Sequence, residues 1–442
     1  MLKLKRFFFT SLAALGIVGL LAACGGGGDD GPVFDPDVPP QDVEVVSGDG
    51  FNSELGNTIS WEYDETATGH VVYWDTQPNV TVDSPQVVPT DTGRNYIIHA
   101  DPAEVFAGET IYYLLVATAG DQVSEPSEVV SGTPQTAVTA NSLNDLAWNG
   151  SPVDGSIIAL VAVGDSGTIL NSQNGTLDGW TEVDHGLTDE SLAGVTWGNA
   201  QYLVVGAGNT VLTSPDGSAW AWIDLNEQNI PNSDLEDVAW TGAGYIVVGK
   251  NGAVLTGNAD GAVWTEQSTG IDTAITLEGV AEGNGTLVAV GTKATIITSQ
   301  DAGVTWTLID LSAQSISNTN DLNDVTWDGT SFGVVGSNST LLSSTDGLDW
   351  IENNPSISDY SLEGAVQWDP LLPANLPVDP LLAMVGSAGT FFVSDDPDSG
   401  YSVPTGTNEQ LEAIIWVDIE DDGIEPYFIM VGHDGTLLTN QQ

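Results

Sequence analysis

Bases are what this 442-residue sequence has least of: six lysines and arginines stand against 62 aspartates and glutamates, a formal net charge of −56. Three of the six, Lys3, Lys5 and Arg6, precede the first apolar run, leaving Arg94, Lys250 and Lys293 for all that follows. Nucleic acids need cations to displace their counterions, and anionic lipid surfaces need juxtamembrane bases; both are excluded as partners. Charged residues make up only 15 % instead of about a quarter, so the surface is built from Ser, Thr, Asn, Gln, Gly and carboxylates. Cysteine is nearly missing as well. The lone Cys24 permits no disulfide within the chain, and it leaves thiol catalysis without a second candidate. No zinc-ligand spacing joins His185 to His433.

What the chain has in abundance is repetition. The stretch Leu322–Trp350 recurs in degraded form from Leu143 onward, with copies opening at Leu143, Leu192, Leu235, Leu277, Leu322, Leu362 and Leu411. Intervals of 40 to 49 residues suit four short strands per unit, the size of a propeller blade. Each copy opens on an apolar strand such as Val238-Ala239-Trp240, where alternation puts Val and Trp on one face. A second strand ends in Val-Gly every time, at Gly164, Gly206, Gly249, Gly291, Gly336, Gly386 and Gly432. Three residues later stand Gly167, Asn209, Gly252, Ala294, Ser339, Gly389 and Gly435, mostly types that tolerate a tight hairpin.

Between the third and fourth strands, Ser299-Gln300-Asp301-Ala302-Gly303-Val304-Thr305-Trp306 matches the Asp-box pattern without a mismatch. Shorter versions carry Asp216 and Asp346, and a looser one runs from Asp260 to Trp264. The region resembles Asp-box (BNR-type) propellers and the repeats of the photosystem II stability/assembly factor family. The resemblance implies that Ser299, Asp301, Gly303 and Trp306, with Asp216 and Asp346, are structural residues away from the binding face. Asp-box sialidases hold their substrate with an arginine triad, and residues 135–442 contain no arginine, so sialidase chemistry is disfavoured.

Residues 1–23 resemble a lipoprotein signal peptide, and Leu21-Ala22-Ala23-Cys24 resembles a bacterial lipobox, with Cys24 as the lipidated residue. Gly25 follows it where an inner-membrane retention signal would place Asp, so an outer-membrane anchor is expected. Residues 24–40, rich in Gly, Pro and Asp, read as a tether. Residues 41–134 show short strands with no helical periodicity and resemble a fibronectin type III domain, which implies Trp61 as its core tryptophan and Tyr112 as its tyrosine-corner residue.

The expected fold is therefore all-β: a fibronectin type III β-sandwich, then a seven-bladed β-propeller over 135–442. The last copy stops after its third strand at Thr436–Thr439, and the short β-prone run 136–140 is expected to pair with it and close the ring.

Two groups of residues invite chemistry. Asp145, Glu236, Asp237, Glu278, Asp324, Glu363 and Glu412 fall one or two positions after the opening leucines, so strands lining a channel would crowd them at one mouth. The run Asp418–Glu425, with Asp418, Glu420 and Asp422, is loosely like a calcium loop and is the one candidate for weak Ca²⁺ binding. Its twelfth residue is Ile429 where an EF-hand needs Glu, so a solvated loop is expected and no cofactor is called for. The functional expectation is a monomeric, lipid-anchored envelope protein whose propeller is a non-catalytic scaffold for another envelope protein or a neutral or cationic glycan. The competing expectation is a polysaccharide-binding or polysaccharide-hydrolysing propeller that uses a carboxylate pair in an aromatic-lined cleft, with Trp222 and Tyr360 as loop aromatics.

Overall fold

A computed structural model describes residues 36, 38–40, 43–48, 56–60, 67–87, 96–99, 111–120, 122–132, 138–150, 160–173, 175, 179–316, 319–353, 360–368, 381–396, 399–402, 405, 407, 409–417 and 427–439. Cys24, Trp61 and the leader lie outside the described residues, as does Asp418–Glu425. The chain divides into two compact units near residue 135.

The N-terminal unit is all β. Glu44–Gly48, Gly56–Ser60 and Tyr96–His99 form one antiparallel sheet, and Gly69–Asp75, Ile111–Ala119 and Gln122–Val123 form another, with Val130–Gly132 also paired to Ile111–Ala119. Alternation along Ile111–Ala119 sends Ile111, Tyr113 and Leu115 into a core with Ile59, Val72 and Val87, and Leu114 and Val116 onto Tyr73 and Val80. Tyr113 is the fully buried tyrosine, while Tyr112 sits half-buried on the opposite face. Beyond that strand, the hydroxyls of Ser124 and Ser127 accept from the Ala117 and Leu115 amides. Pro126 between them has no N–H to offer a ladder.

In the second unit seven antiparallel sheets follow in chain order, six of four strands and a last one of three among the described residues. Their first strands are Leu143–Trp148, Leu192–Gly198, Leu235–Trp240, Leu277–Gly283, Leu322–Trp327, Leu362–Trp368 and Leu411–Val417. Each first strand lies against the next, and the seventh lies against the first.

The recurring Val-Gly is required by space. At Gly164, Gly206, Gly249, Gly291, Gly336, Gly386 and Gly432 a Cβ would stand 2.0–2.3 Å from the carbonyl oxygen of the residue before the opening leucine. Their backbones are extended, so any residue could adopt the conformation, but only glycine fits beneath that carbonyl. The hairpin that follows is a two-residue turn with both central residues left-handed, as in Ser166-Gly167, Asn251-Gly252 and Asp434-Gly435. That is the geometry whose twist matches the flanking strands. It tolerates Lys293-Ala294 as well, at φ +59° and +54°, because the surrounding sheet holds the turn in place.

Each connection running out of a sheet folds back over that sheet's hairpin. The hairpin amide of Asn209 donates to the Ser233 carbonyl, that of Gly252 to Ile275, and that of Ala294 to Asn320. At Gly167 and Gly389 the gripping carbonyls, Thr188 O and Thr407 O, come so close that a Cβ would lie 2.2 and 2.0 Å away. The hairpin of the seventh sheet is gripped in the same way by Thr139 O, 2.0 Å from a Cβ on Gly435. Val138 joins the core cluster of Leu437, Ile429, Leu143 and Leu146. The expected pairing of 136–140 with Thr436–Thr439 falls partly outside the described residues, and Val138–Ala140 are bends or coil, not strand.

Candidate functional site

A cavity of about 570 Å³ is lined by residues from the first strands of all seven sheets. Every one of those strands carries a bulge directly after its opening leucine, where the register with the second strand slips. A bulge re-aims side chains, and here it divides the seven candidate carboxylates into two kinds.

Asp145, Asp237 and Asp324 stand two positions after the leucine and stitch neighbouring sheets together. Asp145 accepts from its own neighbour Leu146 N (2.7 Å) and, across the interface, from Val195 N of the second sheet (2.7 Å). Asp237 does the same with Val238 N (2.6 Å) and Val280 N (2.7 Å), and Asp324 with Val325 N (2.7 Å) and Ala365 N (2.9 Å). Burial raises all three above the ordinary carboxylate range, Asp237 to about 7 and Asp324 to about 6; the Asp324 charge adds to the rise at Asp237, and the paired amides oppose it throughout.

In the sheets between them the same position is glycine. A Cβ on Gly194, Gly279 or Gly364 would meet the next sheet's backbone at 3.0, 3.1 or 2.5 Å. The position therefore reads Asp145, Gly194, Asp237, Gly279, Asp324, Gly364 and then Ala413. Sequence reasoning missed this alternation, although aligning the copies on their leucines displays it.

The residues one position after the leucine line the mouth: Asn144, Glu236, Glu278, Asn323, Glu363 and Glu412 among them. Three of them, Asn144, Glu236 and Glu412, face the first residue of their own sheet's hairpin. Lys250 Nζ lies 3.6 Å from Glu236 Oε1 and 2.8 Å from Asp234 Oδ2, and His433 Nε2 lies 2.7 Å from Glu412 Oε1. Asn144 Nδ2 reaches Asp165 Oδ1 at 3.4 Å and donates to Leu192 O at 2.8 Å. Glu363 accepts from Asn323 Nδ2 at 2.7 Å. Burial, then the charges of Glu236 and Asp321, push Glu278 up to about 7. The charge of Lys250 acts on Glu278 too and lowers it, but is outweighed. Burial also raises Glu236 and Glu412, against the pull of Lys250 and His433.

This arrangement concentrates negative potential at one opening and supplies few donors there. The lining holds no aromatic side chain. Trp222, expected on a loop, sits on an outer fourth strand, and Tyr360, which precedes the sixth first strand, also lies outside the lining. Among the described residues no group of three or more His, Cys, Asp or Glu is placed to hold a metal ion. The Asp418, Glu420 and Asp422 loop lies outside the described residues.

The turns before the fourth strands are closed networks. Ser299 Oγ donates to Asp301 Oδ1 (2.9 Å) and accepts from Gly303 N (3.0 Å). Asp301 also accepts from Thr305 N (2.8 Å) and Thr305 Oγ1 (2.6 Å), and Trp306 Nε1 donates to Gly303 O (2.9 Å). These bonds hold the Asp301 carboxyl below its usual range, the Thr305 hydroxyl contributing most. Asp216 and Asp346 accept from the two amides that follow Gly217 and Gly347. Gly303, at φ +82°, packs where a Cβ would strike Ile246 of the preceding sheet. None of these residues lines the cavity. One run escaped sequence reasoning: Gly329-Thr330-Ser331-Phe332-Gly333 has nucleophile-elbow spacing. It forms a strand-to-strand turn in which Ser331 Oγ donates to Asp328 Oδ2, with no helix following.

No family model matches the chain, and no curated protein is significantly similar to it in sequence. Solved structures do resemble it. YCF48 bound to D1 peptide superposes with a TM-score of 0.52 at 15 % identity, covering 69 % of this chain and 93 % of that one. YCF48 from Cyanidioschyzon merolae gives 0.51 at 16 %, covering 68 % and 95 %. The WD40 β-propeller domain of Doa1 gives 0.49 at 11 %, covering 68 % and 93 %. At such identities the likeness concerns fold alone, and on that level the second unit is a β-propeller of the YCF48 kind.

Proposed function

We propose that this protein is a lipid-anchored envelope protein in which a fibronectin type III-like unit carries a closed seven-bladed propeller, and that the propeller is a non-catalytic scaffold whose acidic mouth takes a cationic segment of a partner protein. The observation that carries the reading is the ring of Glu236, Glu278, Glu363 and Glu412 around one cavity. Converging like charge steers and holds an oppositely charged ligand. YCF48 in complex with a D1 peptide supports the idea that a propeller of this shape binds polypeptide.

The geometry weighs against the hydrolytic alternative. Glycoside hydrolysis needs two free carboxylates flanking the substrate, and sugar-binding clefts present apolar or aromatic surface. Here three of the seven carboxylates are committed to backbone amides, and the lining is not aromatic. The experiment is a pull-down from envelope extract, run beside a glycan array, with the wild type and a variant carrying E236Q, E278Q, E363Q and E412Q. A protein partner lost in the variant supports the scaffold; an array signal without a protein partner rejects it.

A further inference from the structure

Six of the seven interfaces between consecutive first strands are closed by one of two devices at the same position. Asp145, Asp237 and Asp324 bridge sheets one to two, three to four and five to six by accepting a backbone amide across the gap. Gly194, Gly279 and Gly364 let sheets two and three, four and five, and six and seven approach until a Cβ would touch backbone. An odd number of sheets cannot sustain a two-step alternation around a closed path. The break falls at Ala413, which has neither a carboxylate to reach the first sheet nor the bare Cα of the tight approach, and packs its methyl group into the Leu143 cluster instead.

The covalent arrangement singles out the same interface. Elsewhere the segment that grips a hairpin leaves that same sheet: Thr188 on Gly167 and Thr407 on Gly389 both belong to the connection running out of the gripped sheet. The hairpin of the seventh sheet is gripped from the far end of the unit, by Thr139, just ahead of the first sheet. Asn141 ties this segment to the first sheet through Thr168 Oγ1 at 2.8 Å, and Val138 seats it in the shared cluster.

We infer that residues 138–142 form a releasable strap, and that the ring opens between its seventh and first sheets when the strap lets go of Gly435. This rests on the ring closure proposed above and not on its ligand, so the two fail separately.

Hydrogen exchange on the full chain tests the strap. In the wild type, amides of Leu143–Trp148 and Leu411–Val417 should exchange at least about tenfold faster than those of Leu235–Trp240 and Leu277–Gly283. Leu143–Trp148 is preceded by a folded unit, so fraying at a chain end does not account for that difference. Gly435→Ala, at φ +75° with Thr139 O in the way, should widen the gap about a further tenfold and confine the change to the seventh and first sheets. Gly208→Ala is the control, because its φ of +65° bears the same backbone cost with nothing within 4 Å. Equal protection of all seven first strands in the wild type would overturn the inference even if Gly435→Ala fails to fold. So would a response to Gly435→Ala that matches the Gly208→Ala control or spreads evenly around the ring.

Discussion

Glu278 is the mouth glutamate that burial and the charges of Glu236 and Asp321 push up against the opposing pull of Lys250, and it makes the site titrate. Its pKa of about 7 stands above the 4.5 of a free glutamate, so the folded protein binds this proton more tightly than the unfolded chain does. Its contribution to stability is therefore complete below about pH 4.5, falls as pH rises, and is gone above about pH 7. At about 1.4 kcal/mol per pK unit, reduced because water reaches the cavity, E278Q should gain about 1–2 kcal/mol at pH 8. At about pH 4 it should match the wild type. Thermal unfolding at the two pH values checks both the sign and the size. The position of Glu278 after its leucine was legible in the sequence. Its electrostatic surroundings were not, because Lys250 and His433 find Glu236 and Glu412 only through a hairpin pairing that the linear chain does not display.

At the scale of the strand, the repeat was readable because each copy answers the same steric demand: a glycine under a carbonyl, a left-handed hairpin, and an aromatic closing the sheet. Tertiary contact rewrote the meaning of the acids. Asp237 and Glu236 are adjacent in sequence, yet the bulge turns one toward backbone amides and leaves the other at the mouth. Asp237→Asn keeps the shape but can offer only one oxygen to two amides, leaving a buried N–H unpaired at a cost of about 1–3 kcal/mol. We expect D237N to lower stability by that amount in denaturant titration, with the unfolding slope unchanged. E236Q, which breaks no backbone bond, should change stability by less than about 0.5 kcal/mol. The fourth strands were equally legible through their turns. The short helical plug between the second and third sheets was not: Leu225 and Ile230 bury themselves, and Gln228 holds the Trp264 amide at 2.8 Å, in a stretch that reads as polar loop.

For the whole molecule the governing fact is a net charge of −56 with almost no bases to offset it. Self-repulsion of that size opposes the compact state and is screened by salt, the Debye length shrinking from about 30 Å at 0.01 M to about 3 Å at 1 M. The melting temperature should climb with NaCl and climb further with millimolar Ca²⁺; a flat profile in both would show that the carboxylates are spaced widely enough to ignore one another. The same charge sets what the mouth can hold. The decisive measurement is calorimetric titration of a short lysine-rich peptide into the full chain at low salt, against the variant carrying E236Q, E278Q, E363Q and E412Q. Electrostatic capture at the mouth requires saturable binding by the wild type, at least about tenfold weaker in the variant and weakened again by salt. Equal affinity for the two proteins would contradict it.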